Sequence, residues 1–233
     1  MIDLHMHLLP GMDDGSESVE TSLAMLARSG GTEGVCATPH FYADRDTPGS
    51  FLRRRSAAWE RLKAALPEGH IPIRLGAEVR YFEGMSRAEE LPALCLEGTR
   101  LLLLEMPFQP WTERMLAEVD GLSRRGLVPV AAHLERYLEL APKRLLREFW
   151  ELDLLVQCNA EFFLERRTSR RALKLLREGR VQLLGSDAHN LGARPPRLGE
   201  AAALIEKKLG PEVLAELRKT EESLGLYSEG TFR

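Results

Sequence analysis

The chain has 233 residues, 44% of them apolar, and a formal charge of −3 at neutral pH. That is enough for one α/β core of barrel size, and it leaves no basic surplus for a polyanion, so nucleic acid is not expected as a partner. Cys36, Cys95 and Cys158 are odd in number, far apart and outside any Cys-x-x-Cys pair, which argues against a disulfide framework or a thiolate zinc site and for a reducing, cytoplasmic setting. Neither a secretory leader nor a run of about 18 apolar residues is present, so membrane insertion is not expected.

Ile2 to His7 alternates apolar and polar side chains as a strand does, placing His5 and His7 on one face, one pleat apart. Asp14 to Gly30 then carries Val19, Leu23, Leu26 and Ala27 at helical spacing, with Gly30-Gly31 as the stop. Gly34 to Thr38 is a second strand running into Pro39-His40. Phe51 to Leu66 is a helix that turns Leu52, Trp59, Leu62 and Leu66 inward and sends Arg53, Arg54 and Arg55 to solvent.

Further strands are expected at Ile71–Glu78, Leu101–Glu105, Leu127–His133, Leu154–Asn159 and Val181–Asp187. Helices are expected at Trp111–Arg125, Pro142–Glu151, Ser169–Glu178, Pro196–Leu209 and Pro211–Leu224. Tyr81 to Arg100 is irregular, and Tyr227 to Arg233 has no legible pattern. Strands alternating with helices imply a mainly parallel sheet, and seven such units form one barrel-like domain spanning residues 1–233.

The polar residues at the strand ends are the functional signal. His5, His7, His40, Glu78, Glu105, His133, Asp187 and His189 all fall at or just beyond carboxyl ends of strands, where an α/β barrel builds its site. Five of the six histidines share this placement, and His70, in a turn before Pro72, is the exception. Imidazole nitrogen and carboxylate oxygen without thiolate suit zinc, manganese, iron or cobalt. So many donors exceed one tetrahedral ion and imply two or three, an arrangement suited to displacement at phosphorus.

These residues carry a family resemblance. Asp-Leu-His-Met-His at the start, Thr-Pro-His around His40, the isolated Glu78 and Ser-Asp-Ala-His-Asn around Asp187 resemble the polymerase and histidinol phosphatase (PHP) superfamily. Pro-Gly-Met-Asp-Asp-Gly, Ala-Thr-Pro-His-Phe, His-Leu-Glu-Arg-Tyr and the Arg-Pro-Pro after Asp187 are similar to the manganese-dependent protein tyrosine phosphatases of bacterial capsule and exopolysaccharide operons. The resemblance implies a distorted seven-stranded (β/α) barrel, TIM-like in plan, with a centre of two or three divalent ions, manganese being the expected metal. His5, His7, Glu78 and Asp187 would hold one ion, Glu78, Glu105 and His133 a second, and Asp14, His40 and His189 a third. Asp13 is the alternative to Asp14, which with Glu17 also makes a helix-start pattern that needs no metal.

Arg136 and Arg194 match the family's phosphate-gripping positions, where a guanidinium can take two oxygens at once. The implied substrate is a phosphotyrosine-bearing protein, in this family an autophosphorylated tyrosine kinase tail. A cysteine-nucleophile route is closed, because Cys36, Cys95 and Cys158 are followed six residues on by Tyr42, Leu101 and Leu164 and never by the arginine it needs. Two rivals share the metals: a phosphatase or phosphodiesterase of small molecules such as histidinol phosphate, and a regulatory protein that binds a kinase without catalysis. The aromatics past the strand ends, Phe41, Tyr42, Phe108, Trp111, Tyr137, Phe162 and Phe163, either frame a phenyl pocket or roof the core. The run Arg166, Arg167, Arg170 and Arg171 reads as a solvated helix face.

Overall fold

A computed structural model describes residues 1–227; of the tail that showed no pattern, residues 228–233 lie outside the described part. Among the described residues, nine short strands, paired in parallel, are interspersed with eight α-helices. The strands are β1 (Ile2–Met6), β2 (Gly34–Ala37), β3 (His40–Phe41), β4 (Ile73–Leu75), β5 (Glu78–Arg80), β6 (Leu101–Glu105), β7 (Val128–Ala131), β8 (Leu155–Asn159) and β9 (Leu183–Gly185). They form a three-stranded sheet, β1-β2-β4, and a six-stranded curled sheet, β3-β5-β6-β7-β8-β9. A bridge between Met6 and Ala188 and a hydrogen bond from the Asp187 amide to the His5 carbonyl (2.7 Å) bring β1 alongside the end of β9.

Two breaks give nine strands where seven strand segments were expected. The segment Ile71–Glu78 is not one strand: β4 pairs with β2, whereas β5 pairs with β3 and β6. Glu78 therefore opens β5 and does not close the strand before it. The switch occurs at Gly76, where an added Cβ would stand 2.3 Å from Leu96 Cδ2, so any larger residue would have to displace the Leu96 side chain packed over it. The second break lies at Thr38-Pro39, between β2 and β3. Pro39 carries no N–H for a ladder, and its carbonyl accepts from the Glu78 amide (3.0 Å).

Helices α1 (Val19–Arg28), α2 (Pro48–Lys63), α3 (Glu113–Arg124), α4 (Lys143–Phe149), α6 (Ser169–Arg177), α7 (Leu198–Leu209) and α8 (Pro211–Ser223) follow the expected order, and the short α5 (Ala160–Leu164), directly after β8, is an addition that the sequence pattern did not show. The first starts later than expected: Ser18, not Asp14, caps it by accepting from the Thr21 amide (3.2 Å), which leaves Asp14 outside the helix. Tyr81 to Arg100, unreadable in sequence, holds two short 3-10 turns whose Met85, Leu91 and Leu94 are buried. Arg55 is not solvated. It lies buried on α2, donates to the Gly76 carbonyl (2.9 Å) and pairs with Glu97 (3.6 Å). No described helix is long and apolar enough to cross a membrane, and all three cysteines are free and buried.

Candidate metal centre

The candidate donors expected at the ends of β1, β3, β5, β6 and β7 converge on one place, as do those of the loop after β9. Alternation on β1 turns His5 and His7 the same way, and their Nε2 atoms stand 3.1 Å apart. Both nitrogens also lie 3.3 Å from Glu78 Oε2 and 3.4–3.5 Å from Asp187 Oδ1. The β3–β5 register sets His40 beside Glu78, and His133 Nε2, just past β7, donates to Glu78 Oε1 (2.7 Å) and lies 3.9 Å from Glu105. Asp14 and His189 complete the rim: Asp14 Oδ1 is 3.5 Å from Nε2 of both His40 and His189.

Four overlapping groups result, in each of which the candidate donor atoms lie within 4.8 Å of one another: His7-Asp14-His40-His189, His5-His7-Asp187, His5-Glu78-His133 and His40-Glu78-Glu105. Every metal candidate read from the sequence belongs to at least one. The donors fit divalent cations better than they fit each other. His40 Nδ1 and Glu78 Oε2 are 2.9 Å apart, yet neither makes a hydrogen bond, and buried His133 Nδ1 and His189 Nε2 have no hydrogen-bond partner among the described residues. Buried polar atoms of this kind are costly unless something else satisfies them.

Electrostatics inside the cluster is strongly perturbed. Burial disfavours charge on His7, but Asp13 beside it and the carboxylates of Asp187 and Glu78 outweigh that and raise it well above the ordinary imidazole range. Burial likewise opposes ionisation of Glu78, while His5, His133 and His40 hold it well below the usual carboxylate range. Glu105 shifts the other way, raised by burial and then by the neighbouring Glu78 charge. Burial, with His7 close by, pushes His189 down to about 3. Backbone strain gathers here as well: His133 (φ 34°) and Asp187 (φ 54°) are the positive-φ residues other than glycine in the described chain.

Sequence reading missed Gln157, Asn159 and Glu135, which help hold this cluster in place, and it weighed Asp13 only as an alternative ligand. Asp13 is not among the grouped donors; its Oδ2 accepts from His7 Nδ1 (2.7 Å) and from the His40 amide (2.8 Å). Gln157 Oε1 accepts from the His133 amide (2.8 Å) and lies 3.3 Å from His5 Nδ1, and Asn159 Nδ2 donates to Asp187 (3.0 Å). Both come from β8 at positions i and i+2, so the inward face of that strand was a usable signal. Glu135 accepts from the Asn159 amide (3.2 Å), and burial pushes its carboxyl up to about 7.

Both candidate arginines reach the cluster. Arg136 donates to Asp187 Oδ2, and Arg194 Nη2 donates to both Asp187 oxygens at 2.9 Å. They line a cavity of about 310 Å3 with Asn159, Phe162, Thr168 and Pro195. A second cavity, about 350 Å3, opens on the other side of the donors between Asp14, His40, Tyr42 and Arg45. Of the aromatics, Phe41, Trp111, Tyr137, Phe162 and Phe163 are buried core, whereas Phe108 is 51% exposed.

The family model described as capsular polysaccharide synthesis, CpsB/CapC, matches residues 1–223. The tyrosine-protein phosphatase YwqE of Bacillus subtilis strain 168 is 30% identical over an alignment covering 100% of this chain and 94% of that protein. The tyrosine-protein phosphatase CpsB of Streptococcus agalactiae serotype III is 28% identical, over 91% of this chain and 92% of the relative. Among solved structures, one from work on YwqE and the Streptococcus pneumoniae CpsB, described as unique metal-dependent tyrosine phosphatases, superposes with a TM-score of 0.81 at 26% identity, covering 100% of this chain and 97% of that one. A dihydropyrimidinase from Brevibacillus agri shares the fold (TM-score 0.54, 13% identity, 99% of this chain and 72% of that one). With its donors, arginines and fold in this arrangement, the chain belongs to the CpsB/CapC family of capsular polysaccharide synthesis.

Proposed function

We propose that this protein is a metal-dependent protein tyrosine phosphatase that removes phosphate from an autophosphorylated tyrosine kinase of polysaccharide synthesis, in the cytoplasm. The observation that carries the reading is the set of four overlapping donor groups with two arginines at their edge. His5, His7, Glu78 and Asp187 would hold one ion, Glu78, Glu105 and His133 a second, and Asp14, His40 and His189 a third, with manganese the expected metal. Divalent ions there supply Lewis acidity and a water nucleophile of lowered pKa.

The chain's own groups do the rest. Arg136 and Arg194 grip the non-bridging phosphate oxygens and orient phosphorus toward the donor cluster. Asp13 fixes the ring of His7, and Gln157 steadies both His5 and the His133 backbone. A phenol leaves with a pKa near about 10, so it needs less protonation than an alkyl alcohol. We also infer that residues 1–233 form one domain, in which β2/β3 and β4/β5 each act as one broken strand of a distorted seven-position barrel. The Met6–Ala188 bridge supports closure between the first and last positions.

The test is kcat/KM of manganese-reconstituted protein on a tyrosine-phosphorylated peptide and on histidinol phosphate in one buffer. The expected result is strong preference for the peptide. Preference for histidinol phosphate would keep the metals and move the chain to small-molecule chemistry.

A further inference from the structure

The second cavity holds an arrangement that the hydrolytic chemistry does not use. Tyr42, in the turn after β3, lies flat against His40, with ring centroids 5.1 Å apart and planes 27° from parallel. Two guanidiniums from different parts of the chain converge on that tyrosine: Arg45 Cζ is 5.0 Å and Arg80 Cζ 5.7 Å from the ring centroid. Arg45 arrives from the same turn and Arg80 from the end of β5, two residues past Glu78. Both side chains are exposed.

Their pairing state separates them from the other arginines nearby. Arg54, which lines the same cavity, is taken up by Asp46. Neither Arg45 nor Arg80 has a carboxylate oxygen within 4.0 Å among the described residues. Two like charges gathered on one ring repel, and the ring's π system offsets this only in part. A planar guanidinium with its donors free is suited to take a carboxylate in bidentate fashion. The acidic groups of the cavity are committed elsewhere: Asp13 to His7 and the His40 amide, Asp46 to Arg54, and Asp14 to the donor cluster.

We propose that Tyr42, Arg45 and Arg80 form a subsite for an acidic side chain close to the phosphotyrosine, so that the substrate is a phosphotyrosine set in acidic sequence. This deepens the phosphatase reading and rests on it. Tyr42 acts here as a platform that holds the two cations at the mouth, and Arg45 and Arg80 determine specificity without touching the reacting phosphate.

The test uses the metal-loaded, full-length protein and two phosphotyrosine peptides identical except that the flanking residues are Glu in one and Gln in the other. The wild type should favour the Glu peptide in kcat/KM by about tenfold, the scale of one well-formed charged contact, with the difference in KM. The Arg45→Ala/Arg80→Gln double variant should bring the ratio to about one, and each single variant should lower it by itself. Tyr42→Leu, which keeps both charges and removes the platform, should also lower the ratio. Equal rates on the two peptides in the wild type, or a ratio that survives the double substitution, would overturn the subsite and leave the phosphatase reading standing. No hydrolysis of either peptide would overturn both.

Discussion

Asp187 shows how much a single position can carry. Its backbone is left-handed (φ 54°), its carboxylate meets His5, His7, Arg136 and Arg194, and its amide is tied to the His5 carbonyl. Asparagine tolerates that backbone conformation, so Asp187→Asn removes charge without adding strain. Hydrolysis should fall roughly a hundredfold or more, the scale of lost charge stabilisation at a transition state. Turnover at the wild-type rate would defeat the metal mechanism.

The arginines and Asp13 separate two kinds of contribution. Arg136→Ala and Arg194→Ala each delete charged hydrogen bonds worth about 1.5–3 kcal/mol, so kcat/KM should drop roughly ten- to a hundredfold while metal content by elemental analysis stays intact. Asp13→Asn should do the reverse. With His7 less firmly oriented, manganese affinity in calorimetric titration should weaken roughly 10- to 100-fold. Unchanged affinity would mean that Asp13 serves only the His40 amide.

At the scale of elements, the open question is what holds α8 to the first strand. Glu221, buried on α8, accepts from the Ile2 amide (3.2 Å) and the Tyr227 hydroxyl (2.7 Å), and burial pushes its carboxyl up to about 7 from an ordinary 4.5. Buried Arg74 on β4 donates to the carbonyls of Gly225 (3.1 Å) and Leu226 (3.2 Å), closing the same end of the molecule. A carboxyl raised on folding contributes stability below its unfolded pKa and loses it as pH climbs to the folded one. The wild-type Tm should therefore fall relative to Glu221→Gln between about pH 4.5 and 7, since glutamine keeps both acceptor contacts and does not ionise. A constant difference across that window would show that Glu221 titrates normally.

Elements also mark where sequence reading stopped. Periodicity located the helices, and the strand-end donors were legible because β1, β6 and β7 run unbroken up to them. The split at Gly76 was not legible, because a glycine inside an apolar run looks like strand until Leu96, some 20 residues away, is seen packed over it. The same blindness applied to Arg55, whose neighbours Arg53 and Arg54 are exposed. Its acceptor is the Gly76 carbonyl, which lies in that same break between β4 and β5.

For the whole molecule, the donor cluster joins five separate strands and the loop after the last, so ion binding and folding stability are linked. A ligand at about a hundredfold its Kd adds ~2.7 kcal/mol to the native state. Stripping metal with EDTA should then lower Tm by roughly 5–10 °C for a chain of this size, and manganese should restore it. A Tm indifferent to chelation would mean that the cluster is held by its own hydrogen bonds alone.

What the sequence by itself determined was the α/β class of fold and which candidate donors would be brought together. Strand and helix periods are local, and a histidine or carboxylate at the end of a parallel strand is carried to the same face whatever the detailed packing. What only the tertiary structure decided was the division of labour within that set. Asp13 and Asp14 are adjacent and identical in kind, and they part because one is turned inward to His7 and the His40 amide while the other, 66% exposed, is left facing His40 and His189. Gln157, Asn159 and the two guanidiniums on Tyr42 gain their roles in the same way, from distances between chain segments that sequence order does not encode.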